Sequence, residues 1–346
     1  MDINTLLFNE IHDILYDYDC REDQIEHFLT APASFDERQK EAIKIIEGIM
    51  TVHGKEELLS CVAELARIEH GIRELEPWAR DHVVHALLSF LLGIYIQDKF
   101  FALKGISVNK FQWKLAGLFH DVGYPVQIAK DAMLSRFAKK INDIKDSIGV
   151  STPDIHFKIV PVGLEKLKNN INSFDLIQSK INEWGLQINP MEEYKRMTDS
   201  GNICHGMISA LAVLYLIDLM YQKNNPKRER RDICKHNINF NQVHFETDVV
   251  SACAAIFIHN LPNKCFENTK IDCSKAPLAF LLKLSDCLQE WERPSRINPE
   301  GFHADKFDVQ VIRSKLIFHS DISDKDKDKI RKEISSSLIA SDVLIC

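Results

Sequence analysis

Over most of the chain the apolar positions recur at helical spacing. Ile3–Leu15, Glu41–Ile49 and Lys55–Ile68 repeat every three or four residues, with a break at Pro32–Phe35. Four later stretches are apolar on nearly every side: residues 78–97, 202–221, 247–259 and 276–293. Helices of that kind belong in the centre of a fold. Asn202 and Thr247 are placed to cap two of them. Trp113–Phe119 begins a shorter helix, capped by Asn109 and stopped at Gly123 and Pro125. Residues 126–200 are mixed and charged, with helices predicted over Asp131–Ile148 and Val162–Ile181 and breaks at Ser151–Pro153, Pro161 and Pro190. This segment reads as an insertion, a lid over a site or a partner surface. Phe307–His319 alternates and predicts two short strands, and Asp324–Ser341 predicts a charged final helix. The fold class expected is mainly α: a helical bundle core with an inserted segment and a small C-terminal β-hairpin plus helix. It divides into residues 1–75, 76–300 and 301–346.

Composition narrows the class. The chain has 346 residues, 45% apolar and 27% charged, with a net charge of -7. An acidic balance argues against an extended nucleic-acid surface. The basic run Pro226–Asp232 reads as an exposed loop. The N-terminus lacks a basic start followed by an apolar core, and the apolar run Ala86–Ile96 is short for a membrane span. The nine cysteines are scattered without CxxC spacing, as reduced thiols in a cytoplasmic protein would be.

The polar residues within the apolar helices carry the chemistry. His82 and His85 share a face of the 78–97 helix, with Arg80 near its start. His120 and Asp121 stand side by side at the end of the Trp113 helix. His205 lies in the first turn of the second of these apolar stretches, and His259 closes the third. Asp286 sits inside the last, on a stripe shared with Ala279, Leu282 and Arg293. A buried carboxylate without a partner costs several kcal/mol, so something cationic is expected beside these groups. Four imidazoles and two carboxylates suit two adjacent divalent ions. His85, His120 and Asp286 would hold one, His205 and His259 the other, and Asp121 would bridge. Iron, manganese, magnesium, zinc, nickel and cobalt are all compatible with such a set.

The order H…HD…H…H…D, with the local stretches HDVGYP, HGMISAL, AIFIHN and KLSDCLQEW, resembles the HD-domain metal-dependent phosphohydrolase superfamily over roughly residues 78–293. The six-ligand pattern is similar to its binuclear members, which include hydrolases of cyclic dinucleotides and of dinucleoside tetraphosphates. The resemblance implies an all-α core of about five helices and hydrolysis of a phosphoester or phosphoanhydride bond, often in a nucleotide. It favours His85 over His82 as ligand, because HALLSFLLG matches the family's first His and following apolar run. His82 then becomes a candidate proton donor, and Arg80 and Arg293 candidate phosphate clamps. The family often carries a Lys shortly after HD; Tyr124 stands near that place and is a candidate substrate contact. The paired-His loop of the cyclic-dinucleotide enzymes is absent, so that specificity is not implied. The expected ligand is a small phosphorylated substrate of nucleotide type, and a homo-oligomer fits the flanking regions. A sensing or partner-binding module without turnover, and a single-strand nuclease, are the alternatives.

Overall fold

A computed structural model describes residues 2–31, 34–73, 80–129, 134–147, 153, 162–167, 171–223, 244–294 and 301–346. The expected break at Pro32, the first residues of the 78–97 and 131–148 helices, Pro161, the basic run 226–232 and the boundaries at 75 and 300 lie outside the described residues. The described part is mainly helical with one small sheet near the C-terminus. In chain order the helices are α1 (Ile3–Ile11), α2 (Glu22–Thr30), α3 (Phe35–Thr51), α4 (Leu59–Arg73), α5 (His82–Ile96), α6 (Lys110–Phe119), α7 (Tyr124–Ile128), α8 (Ser135–Ser147), α9 (Ser173–Glu183), α10 (Pro190–Ser200), α11 (His205–Lys223), α12 (Val250–His259), α13 (Pro277–Leu288) and α14 (Asp324–Ser337).

The apolar stretches form the core. Every residue of α5 is buried. It packs against α6 and α13, while α12 packs against α11, α13, α6 and α9. Each fully buried Leu, Ile or Phe contributes roughly 1.5–3 kcal/mol to this assembly. The α5–α6 crossing is tight at Gly93, where a Cβ would fall 2.0 Å from the Trp113 ring. The Trp113 indole N–H donates to the Phe90 carbonyl at 3.2 Å. That lock fixes the height of α6, and therefore of His120 at its end, relative to His85.

α1, α3 and α4 pack directly on α5, so the described residues up to Arg73 share one continuous core with the bundle. Helix ends follow local chemistry. Asp81 caps α5 by accepting from the Val83 and Val84 amides, and Asn109 caps α6 as expected. Through a π turn at Gln97–Phe101 the α5 stretch runs on to Lys104. Its 23 residues are long and apolar enough to cross a membrane by length and composition, which Ala86–Ile96 alone did not suggest; 72% of the apolar window is buried inside the fold.

Several boundaries differ from expectation. Residues 162–167 are not helical but turn into an isolated bridge, Lys166 with Asn172, before α9 begins. Pro190, read as a break, occupies the first turn of α10 behind an Asn189 cap. α11 starts at His205, not Asn202, and the turn before α12 is already helical at His244, upstream of Thr247. α13 ends at Leu288, so Arg293 lies beyond the helix and leaves the stripe assigned to it. In the tail, β1 (Phe307–Ile312) and β2 (Lys315–Ser320) form the expected hairpin. Arg313 and Ser314 both have positive φ, as a two-residue turn of that hand demands. The final helix stops at Ser337, and β3 (Val343–Ile345) adds to β2 in parallel.

Candidate metal centre

Two glycines set the walls of the site. At Gly123 a Cβ would meet the His205 carbonyl and the Ser209 nitrogen, each at 2.6 Å. The Gly123 amide donates to Ser209 Oγ at 2.8 Å. The His120–Gly123 turn therefore lies directly on the first turns of α11. This is why glycine is needed there: its φ is -83°, not left-handed, and the chain re-enters helix at Tyr124 instead of stopping. At Gly206 a Cβ would sit 2.7 Å from His259 Cε1, so α11 and α12 approach closely enough to bring His205 and His259 together.

All six expected ligands converge. His85 Nε2 is 3.0 Å from Asp286 Oδ1 and 3.4 Å from His120 Nε2. His205 Nε2 is 3.0 Å, and His259 Nε2 3.7 Å, from Asp121 Oδ1. The other oxygen of Asp121, Oδ2, is 3.6 Å from His120 Nε2 and 3.8 Å from His85 Nε2. One carboxylate thus faces two histidine pairs with different oxygens. Donor atoms of His85, His120 and Asp286 lie within 4.8 Å of one another, as do those of His120, Asp121 and His259. His85, His120, Asp121 and His259 are buried, while His205 and Asp286 are partly exposed and form the open side.

The surroundings fix which nitrogen faces inward. His120 Nδ1–H donates to the Gly117 carbonyl at 3.0 Å, and His259 Nδ1–H to the Ile256 carbonyl at 2.6 Å. His205 Nδ1–H donates to Gln127 Oε1 at 2.8 Å, and His85 Nδ1–H to Gln289 Oε1. The Gln289 amide cannot turn over, because its Nε2 donates to the Trp291 carbonyl at 2.8 Å. The four Nε2 atoms are left facing one another and carboxylate oxygens. Burial pushes the His85 imidazole down to about 4, with the Arg80 charge adding to the effect, and burial also lowers His120. Burial would raise Asp121 and Asp286, but the histidines around them outweigh it and hold both carboxyls well below their usual range. With Nδ1 donating, the neutral His85 and His120 rings cannot also donate from Nε2.

The arrangement is therefore electrostatically incomplete. The lone pairs of His85 and His120 face each other, His259 Nε2 is buried without a hydrogen-bond partner, and among the described residues no Lys or Arg ion-pairs with either carboxylate. A cation between them satisfies all of these groups, so the residues fit a metal ion, and the support at each Nδ1 is what metal-ligating histidines carry. One contact competes: the Asn260 amide nitrogen lies 2.9 Å from His205 Nε2.

The remaining candidates lie around this cluster. His82 is buried, with Nδ1 2.5 Å from Glu69 Oε1. Its ring stacks on Tyr124 at 3.5 Å between centroids. Tyr124 in turn stands edge-on to His205 at 5.5 Å. Arg80 donates to the Gln289 backbone carbonyl at 2.6 Å and to its Oε1 at 2.8 Å, so it braces the acceptor of His85. Arg293 pairs with Glu290 at 2.5 Å. Gln289, Gln127, Asn260 and Glu69 were not expected. On the His205 side, a cavity of about 620 Å³ is lined by Gln127, Cys204, Asn260, Lys283, Lys329 and Lys332 among others. Lys283 is buried and pairs with Glu333 at 2.9 Å. No family model, characterised protein or solved structure matches the chain.

Proposed function

We propose that the chain is a metal-dependent phosphohydrolase. The observation that carries this reading is the Asp121 carboxylate, whose two oxygens face two separate histidine pairs. His85, His120 and Asp286 would hold one divalent ion, His205 and His259 a second, and Asp121 both. Such ions, when bound, supply an activated water and offset the charge on a phosphoryl group.

The protein's own groups do the rest. Gln289 and Gln127 hold His85 and His205 in register. His82, tied to Glu69, stands beside Tyr124 as a proton-transfer candidate at the edge of the cluster. The cavity beside His205 takes the substrate. Lys329 and Lys332 bring positive charge to it, and Tyr124, edge-on to His205, and Arg293 would contact the phosphoryl end at the cluster and not in the cavity. A small phosphorylated substrate, a nucleotide or dinucleotide, suits a cavity of about 620 Å³. The acidic chain acts on such small molecules in the cytoplasm, with homo-oligomer formation open to test.

The test is hydrolysis by metal-loaded protein of bis(p-nitrophenyl) phosphate, p-nitrophenyl phosphate and a nucleotide panel. Asp121→Asn removes the shared negative ligand and should lower turnover by about 100-fold or more, the equivalent of about 3 kcal/mol. Turnover unchanged in that variant sinks the reading. Tight nucleotide binding without product, in metal-replete protein, would instead favour a sensing module.

A further inference from the structure

A second cavity, of about 320 Å³, lies on the far side of His85 from the ligand cluster. Arg38 of α3, Arg73 at the end of α4, Arg80 and Asp81 before α5, and Gln289 with Glu292 after α13 all line it. Of the six ligand residues only His85 does.

Its polar groups are poised for a guest. Arg38 is held against the Phe28 ring at 4.9 Å and sits 2.9 Å from Glu292 Oε1. That ion pair engages Nη2, while the buried Nε has no hydrogen-bond acceptor among the described residues. Asp81 spends one oxygen capping α5, and its buried Oδ2 has no donor. Buried polar groups are normally paired, so a donor face and an acceptor opening on one cavity require a joint explanation. Glu292 adds to it. It holds a positive φ of 62° without being glycine, and its amide donates to the Phe302 carbonyl at 2.6 Å. Backbone strain of this kind gathers at ligand clamps.

We propose that this cavity binds a small phosphorylated molecule, its phosphate on Arg38 and Arg73 and a hydroxyl on Asp81 Oδ2, at a site separate from the metal centre. Planar guanidinium forks match phosphate oxygens in pairs. The volume exceeds that of a bare phosphate, and Val84 and Leu88 provide apolar wall for a sugar-sized remainder. The bound anion also draws on Arg80, which shares Gln289 Oε1 with His85. Occupancy therefore shifts the acceptor that orients His85, and so couples to metal affinity; by linkage the coupling is reciprocal.

The probe is inorganic phosphate, titrated calorimetrically into the metal-loaded full chain. Wild type and Asp121→Asn should both bind it, and Arg38→Gln added to Asp121→Asn, in which the metal centre is disabled, should weaken that binding at least about tenfold. Arg38→Lys, which keeps the charge but loses the fork, should fall between and guards against misfolding of the first variant. Phosphate should also change metal affinity in wild type and not in Arg38→Gln. Binding that survives the added Arg38→Gln intact, or that vanishes in Asp121→Asn, places the anion outside this cavity and overturns the proposal. No binding at all assigns the cavity to water and overturns it too. Metal affinity indifferent to bound phosphate overturns the coupling.

Discussion

Replacing Gly206 by alanine puts a methyl group where the site has no room. The new Cβ would lie 2.7 Å from His259 Cε1, 2.9 Å from its Nδ1 and 2.9 Å from the Ile256 carbonyl oxygen. Ordinary contact begins at 3.4 Å, so His259 or the whole of α12 must retreat by about 0.7 Å, beyond the roughly 0.5 Å within which a functional site must be held. His259 cannot turn aside alone, because its Nδ1 is tied to the same Ile256 carbonyl. Two effects follow. Overpacking costs about 1–3 kcal/mol and outweighs the gain of at most about 1 kcal/mol that alanine brings to a helix. The displaced Nε2 also costs metal affinity, by more than about tenfold on the scale of lost supporting contacts. Urea denaturation and metal titration read the two separately. Gly48→Ala is the control: its Cβ would meet nothing within 4 Å on an exposed face of α3, so it should be neutral or stabilising. Wild-type metal affinity in Gly206→Ala would refute the claim that α11 and α12 are spaced by the needs of His259.

Gln289→Leu strips the acceptor from His85 Nδ1 and from Arg80, and should weaken metal binding about 10–100-fold while the described helices persist by circular dichroism; unchanged affinity would make Gln289 mere packing. Lys55 gives a pH signature away from the site: it is buried, and burial pushes its ammonium down to about 8. Between pH 8 and 10.5 the unfolded chain holds a proton that the folded one has released, so stability should rise with pH across that window by about 3 kcal/mol. Lys55→Met should remove the rise and raise stability at pH 7, as seen in denaturation curves at both pH values; a flat wild-type profile contradicts it.

The core helices were legible because their apolar residues leave no polar face, and five of the six converging ligands sit at helix ends or in first turns, where a lone His or Asp in an apolar run stands out. Asp286 stood out as a carboxylate inside one. The supporting groups were not legible. Gln289, Gln127 and Asn260 are ordinary residues in sequence, and they matter only because α7, α12 and α13 bring them to imidazole nitrogens up to 204 positions away. Gly123 looked like a helix stop, because a close approach by α11 leaves the same residue as a left-handed cap does. Arg293 was assigned a helical stripe that ends five residues short of it at Leu288. β3 is three residues of parallel pairing, and strand partners so distant leave no local pattern.

Metal content per chain, by elemental analysis of wild type and His205→Ala after loading, tests the central claim most directly. The account predicts about two ions in wild type and about one in the variant, since His205 belongs to only one of the pairs that Asp121 faces. No metal in wild type, or a content that His205→Ala leaves untouched, would contradict it.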